Sequence, residues 1–167
     1  MTHAPTQIKI VRAREENLAS INALIARSKS HWDWPEDYLR EALPVLRLTP
    51  DTLRGKHCFE VLAAHGELVA FVSVKESPEK VLLDDLWVVP EVIGHGVGRQ
   101  ACEHVFQLAR QRGWRELWVL PDPYSEGFYV KVGFSDTGER VPSRVPSGPM
   151  FSVYRIRFDC DAPAALL

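Results

Sequence analysis

The stretch from Val81 to Arg112 constrains this chain more than any other. It reads VLLDDLWVVP, EVIGHGVGRQ and ACEHVFQLAR in succession. The first block is an apolar run interrupted by Asp84 and Asp85, the pattern of a largely buried strand. In the last block Ala101, Val105, Leu108 and Ala109 recur at helical spacing, which predicts an amphipathic helix. Gly94, Gly96 and Gly98 lie between the two. Alternate glycines open backbone dihedrals closed to other residues and place no side chain in a ligand's way. The first amides of the helix have no intrahelical partner, and the helix dipole makes that end positive. Strand, glycine loop and helix N-terminus together suit an anion, most naturally a phosphate. The plain alternative is a tight turn with no ligand. A Walker loop is a poor match, because Gly98 is followed by Arg99 and Gln100; the dinucleotide fingerprint is another, because the spacing is GxGxG and not GxGxxG.

Further along stands Phe128-Tyr129-x-Lys131-x-Gly133-Phe134. Taken in order, the strand, Pro90, the GxGxG loop, the helix and FYxKxGF resemble the GNAT acyltransferase superfamily. The likeness runs from about Ile8 to Phe158 and is sharp between Leu83 and Phe134. It implies an α/β fold of the GNAT type: a central mixed sheet, antiparallel and parallel, flanked by helices, in one domain spanning residues 1–167. It also implies N-acyl transfer with acetyl-CoA as cosubstrate, the backbone from Ile93 through Gly94, His95, Gly96, Val97 and Gly98 to Arg99 binding the pyrophosphate. The family's Arg or Gln falls on Ile93, which cannot donate a hydrogen bond; His95 and Arg99 are the neighbours that could replace it. The backbone at Val88 and Val89 would pair with the pantetheine amides, as an added strand does.

The rest of the chain agrees with a mixed sheet. Strands are predicted at Ile8–Arg12, His57–Ala64, Glu67–Lys75, Val81–Val89, Glu116–Leu120, Phe134–Glu139 and Met150–Phe158. Helices are predicted at Glu15–Ser30, Pro35–Leu46 with a kink or an end near Pro44, Gly98–Arg112 and Ser125–Val132. Leu48–Gly55 reads as a loop with at most a helical turn, and residues 159–167 are expected to fray.

Candidate chemistry is concentrated in a few residues. Asp84 and Asp85 are expensive to bury unless paired or employed. Because strand residues alternate in direction, one of them faces a given cleft unless a bulge intervenes. Either could accept the proton of an ammonium nucleophile, with Asp85 preferred; a salt bridge is the competing role. By the resemblance, the hydroxyl of Tyr129 lies near the departing sulfur, and Phe128 and Phe134 pack around it. Where relatives carry an Asn against the cofactor, this chain has Asp122 and Tyr124. Trp32, Trp34 and Tyr38, with Asp33, fall where the family builds its acceptor wall and could hold an amine by cation–π contact. Plain helix packing is the alternative for these rings. A loop around Arg144, Ser147 and Met150 is positioned to close over the acceptor.

Charge and cysteine usage narrow the classes. A formal charge of −2 and a pI near 6.3 argue against general nucleic-acid binding. The cysteines are Cys58, Cys102 and Cys160; Cys58 and Cys102, in a predicted strand and helix, are expected as buried thiols, and with no CxxC no metal is expected. His31 and His57 are read as structural. No apolar run is long enough to cross a bilayer and MTHAPTQ has no apolar leader, so a cytoplasmic protein is expected. The expected acceptor is a small-molecule primary amine, with a peptide or protein amine as an option, and a homodimer is compatible with the resemblance. Two other classes stay open. One is a non-catalytic acyl-CoA-binding sensor; the other is an α/β protein holding a different nucleotide.

Overall fold

A computed structural model describes residues 6–159. Cys160 and the tail expected to fray lie outside the described residues. Seven strands form one sheet in the order β1-β2-β3-β4-β5-β7-β6: β1 Ile8–Arg12, β2 His57–Ala63, β3 Leu68–Glu76, β4 Val81–Val88, β5 Glu116–Val119, β6 Ser135–Pro142 and β7 Met150–Arg157. Only β4 and β5 run parallel. Five helices accompany them: α1 Leu18–Ser30, α2 Glu36–Leu46, α3 Pro50–Arg54, α4 Val97–Arg112 and α5 Glu126–Lys131.

Every residue from Val69 to Val74 of β3 is buried, as a strand covered on both faces must be. On one face His104 of α4 meets Phe59 edge-on. On the other the Cys58 thiol donates to the carbonyl of Leu53 in α3, and Asn22 of α1 bonds both the N–H and the C=O of Leu48. In α4 the residues Val97, Ala101, Val105 and Ala109 form a stripe four apart and entirely within the core. Burial raises the thiols of Cys58 and Cys102 to about 12.

Three local features differ from the expected pattern. Thr49 and Thr52 exchange hydrogen bonds as a capping box, so residues 50–54 are helical where a loop with a helical turn was expected. Pro44 neither ends nor interrupts α2; so near the helix end it removes a single intrahelical bond. Strand β6 runs on to Pro142, with an irregularity in its pairing between Asp136 and Arg140.

The pairing of β4 creates the opening that matters. It meets β5 at Leu82↔Trp118 and Leu83↔Val119 alone, after which β5 ends and the chain turns at Pro121. The N–H of Val89 bonds back to Val69, on the β3 side. Alternation along the strand then directs the N–H and C=O of Val88 into the gap that β5 leaves.

Candidate active site

A cavity of about 680 Å³ fills that gap, within the range of ligand sites. One end is the glycine loop. Ile93, Gly94, Gly96, Gly98 and Arg99 line it, and Val88 adjoins. Gly94 and Gly96 have φ of 83° and 82°, the left-handed region in which a side chain is strained. Gly96 caps α4, which starts one residue earlier than predicted. Among the described residues no acceptor pairs with the amides of Gly94, Gly96, Val97, Gly98 or Arg99, while those of Ile93 and His95 bond within the turn. The open amides and the helix dipole can receive an anion. A Cβ on Gly98 would meet Phe128 at 3.2 Å, so the loop also needs its third glycine for close packing. Of the sequence candidates here, Val89, His95 and Val97 do not line the cavity; the carbonyl of His95 instead accepts from Thr6.

The middle of the cavity holds Tyr129 and the acidic pair. Tyr129 is buried on α5, between Phe128 and Phe134. Its hydroxyl has no hydrogen-bond partner among the described residues and lies at the cavity wall. Burial, with Cys102, Asp122 and Asp85 adding to it, holds the phenol well above its ordinary pKa near 10, so it stays a donor. Register explains the two aspartates. Ser73 pairs with Asp85 and Val74 with Leu83, which leaves Asp84 as the extra residue of a bulge. Both carboxylates consequently reach Lys56, whose Nζ is 2.5 Å from Asp84 and 3.1 Å from Asp85. Burial opposes the charge on Lys56, but the two carboxylates outweigh it and raise its pKa. Asp85 also accepts from Ser73 Oγ at 2.5 Å and Trp87 Nε1 at 3.0 Å, and it is not on the cavity wall. Asp84 is, with Arg144 at 3.8 Å from it. Asp85, preferred as the base from the sequence, is therefore the enclosed aspartate.

At the far end the aromatic residues do not form an open receptor. Lys29 projects from the buried face of α1 and is 2% exposed. Its Nζ lies 4.1 Å from the Trp34 ring centroid, 5.0 Å from Tyr38 and 6.0 Å from Trp87, and it donates to Asp122 at 2.9 and 3.1 Å. Trp32 stacks on Tyr124, whose hydroxyl donates to the carbonyl of Asp33. Trp32, Tyr38, Asp122 and Tyr124 line the cavity; Trp34 does not. The segment between β6 and β7 closes this end. Ser147 bonds Glu41 of α2, Val145 packs on Tyr38 and Ala42, and Arg144 faces inward, whereas Met150 stays outside. His57 pairs with Glu76, and among the described residues no group of three His, Cys, Asp or Glu could hold a metal ion. No helix among them is long and apolar enough to cross a membrane.

Lys29 and Lys56 were not singled out from the sequence. Lys29 carries a readable signal, because it falls four residues after Ile25 on the stripe Ile21, Ile25, Ser28. Lys56 has none, since its partners meet it only through the bulge at Asp84.

A family model described as "Acetyltransferase (GNAT) family" matches residues 18–134. Streptothricin acetyltransferase of Streptomyces lavendulae is 33% identical over 63 residues, which are 36% of this chain; the chain spans 33% of that relative's length. Among solved structures, a GCN5-related N-acetyltransferase of Rhodopseudomonas palustris superposes with TM-score 0.79 at 17% identity, over 95% of this chain and 99% of the other. The PaiA N-acetyltransferase of Thermoplasma acidophilum, in complex with coenzyme A, gives 0.76 at 16%, over 91% and 99%. At these identities the likeness is one of fold.

Proposed function

We propose, from the premise that the chain belongs to the acetyltransferase (GNAT) family and is an acyltransferase, that it moves an acetyl group from acetyl-CoA to the primary amine of a small molecule. The observation that carries the reading is that one cavity joins the open amides of the glycine loop to Tyr129 and Asp84. The residues present fit the donor: the open amides of Gly94, Gly96, Val97, Gly98 and Arg99 take the pyrophosphate, Arg99 adds a cation, and the N–H and C=O of Val88 take a pantetheine amide. Ile93, exposed in that wall, has an apolar side chain and an amide already bonded to Pro90, so it gives the pyrophosphate no donor.

Acetyl-CoA supplies a thioester whose carbonyl carbon is open to attack and whose sulfur departs. Asp84 takes a proton from the ammonium of the acceptor, through water, and so frees the nitrogen lone pair. The N–C bond forms, the C–S bond breaks, and its electron pair goes to sulfur. Tyr129 gives its proton to the sulfur and regains one from the nitrogen side, so that one further proton leaves to solvent. Lys56 positions Asp84 beside Asp85 and offsets half of their combined charge.

The role of Lys56 has its own readout. Lys56 Nζ holds Asp84 in place from 2.5 Å, so Lys56→Met is expected to lower kcat about tenfold or more, the cost of a misplaced base, with acetyl-CoA affinity unchanged. Lys56→Arg should restore much of it. A Met variant with unchanged kcat, or with kcat and acetyl-CoA affinity falling together, would show that Lys56 does not position the base.

Release of free thiol from acetyl-CoA in the presence of a broad amine panel tests the function. Acceptor-dependent release is the expected result. Saturable acetyl-CoA binding with no release from any amine would favour a sensor module instead.

A further inference from the structure

We propose that the acceptor is a primary monoamine on an apolar body, an alkyl- or arylalkylamine, and not a polycation. The proposal rests on the acyl-transfer reading of the same cavity. Its first ground is that the devices able to hold a cation are already filled from within the chain. The aromatic cage of Trp34, Tyr38 and Trp87 surrounds Lys29, and Asp122 takes that lysine's Nζ. Asp84 and Asp85 share Lys56, with Arg144 beside Asp84. Of the charged residues on the wall, Asp84 and Asp122 stand against Lys29, Arg99, Lys131 and Arg144. A polycation entering this space meets no excess of negative charge, and every charge beyond the reacting one loses water without a partner.

The second ground is the wall itself. Ala42, Val45 and Leu46 of α2 line the cavity together with Val145 and Phe151, and Val145 packs on Ala42. Val45 is 43% exposed, an apolar side chain left facing open space on the cavity side of its helix. An apolar body laid there removes water from both surfaces, which is the ordinary driving force for such a site. A monoamine loses its one charge when Asp84 takes its proton, so no charge is left to be paired.

A homologous series from propylamine to hexylamine, with spermidine and streptothricin as polycations, tests this. Acetyl-CoA binding is measured first, by calorimetry without acceptor. Each methylene buried should raise kcat/KM about threefold to fourfold, and hexylamine should exceed both polycations. A calorimetric titration of hexylamine into the CoA complex should show the same trend in Kd without turnover. Val45→Asp, a change at a half-exposed helix position, should lower kcat/KM for hexylamine and raise it for spermidine. A flat series, or polycations acetylated faster than hexylamine, would overturn the inference while leaving acyl transfer intact. Absence of acetyl-CoA binding would instead overturn the function on which it rests.

Discussion

Tyr129→Phe is expected to lower kcat by about two to four orders of magnitude, the range for loss of a general acid, with acetyl-CoA affinity unchanged. The substitution removes one oxygen from a ring already packed between Phe128 and Phe134. That oxygen has no hydrogen-bond partner to lose among the described residues, so folding should be indifferent to it. Its chemical work is confined to the step in which sulfur departs, and an interaction made only in the transition state appears in kcat. The pH dependence follows from burial. The folded phenol is held above its ordinary value near 10, so its protonated form persists as pH rises, and its ionisation should not reduce kcat anywhere below about pH 10. Equal losses in kcat and in acetyl-CoA affinity would assign Tyr129 a packing role. These quantities come from steady-state kinetics and from calorimetric titration of the variant.

Lys29→Ala is the stability counterpart. Removing one partner of a buried ion pair costs about 3–5 kcal/mol, because the other charge is left uncompensated. Here the partner is Asp122, largely shielded from solvent, and three aromatic rings lose the cation they enclose. For a chain of this size the melting temperature should fall by roughly 6–20 °C, at about 2–4 °C per kcal/mol. The double variant Lys29→Met with Asp122→Leu should recover much of the loss, since apolar groups of similar volume can replace a buried pair. A single variant melting within about 2 °C of the parent would mean that water already compensates Asp122. The pair also joins α1 to the turn after β5, the two sides of the cleft, so the single variant should bind acceptor less well even where it remains folded.

How much of this was legible in the sequence differs from element to element. Periodicity placed all seven strands and four of the five helices, because apolar stripes such as Val97, Ala101, Val105 and Ala109 depend on local spacing alone. Helix α3 was read only as a helical turn within a loop, because its start depends on a reciprocal Thr49–Thr52 cap, which spacing of apolar residues does not register. The glycine loop was readable, since left-handed dihedrals at Gly94 and Gly96 demand glycine. The order of Asp84 and Asp85 was not. It depends on a bulge in the β3–β4 register, set by both strands together. Trp32, Trp34 and Tyr38 were read as an acceptor wall or as plain helix packing; Trp34 and Tyr38 enclose the chain's own Lys29, brought there by the packing of α1 on the sheet. The loop around Arg144 was named from its position, but its approach to Asp84 depends on the β6–β7 segment folding onto α2 through Ser147 and Glu41, 106 positions apart.

The measurement closest to the central claim is a calorimetric titration of acetyl-CoA into the parent protein and into Gly96→Glu. The glutamate would sit at a φ of 82° and bring a carboxylate to amides open for an anion. Circular dichroism establishes that the variant remains folded. Saturable binding to the parent and none to folded Gly96→Glu is the predicted result. Equal binding to both, or binding to neither, would contradict a phosphate-holding loop and with it the assignment of acetyl-CoA to this cavity.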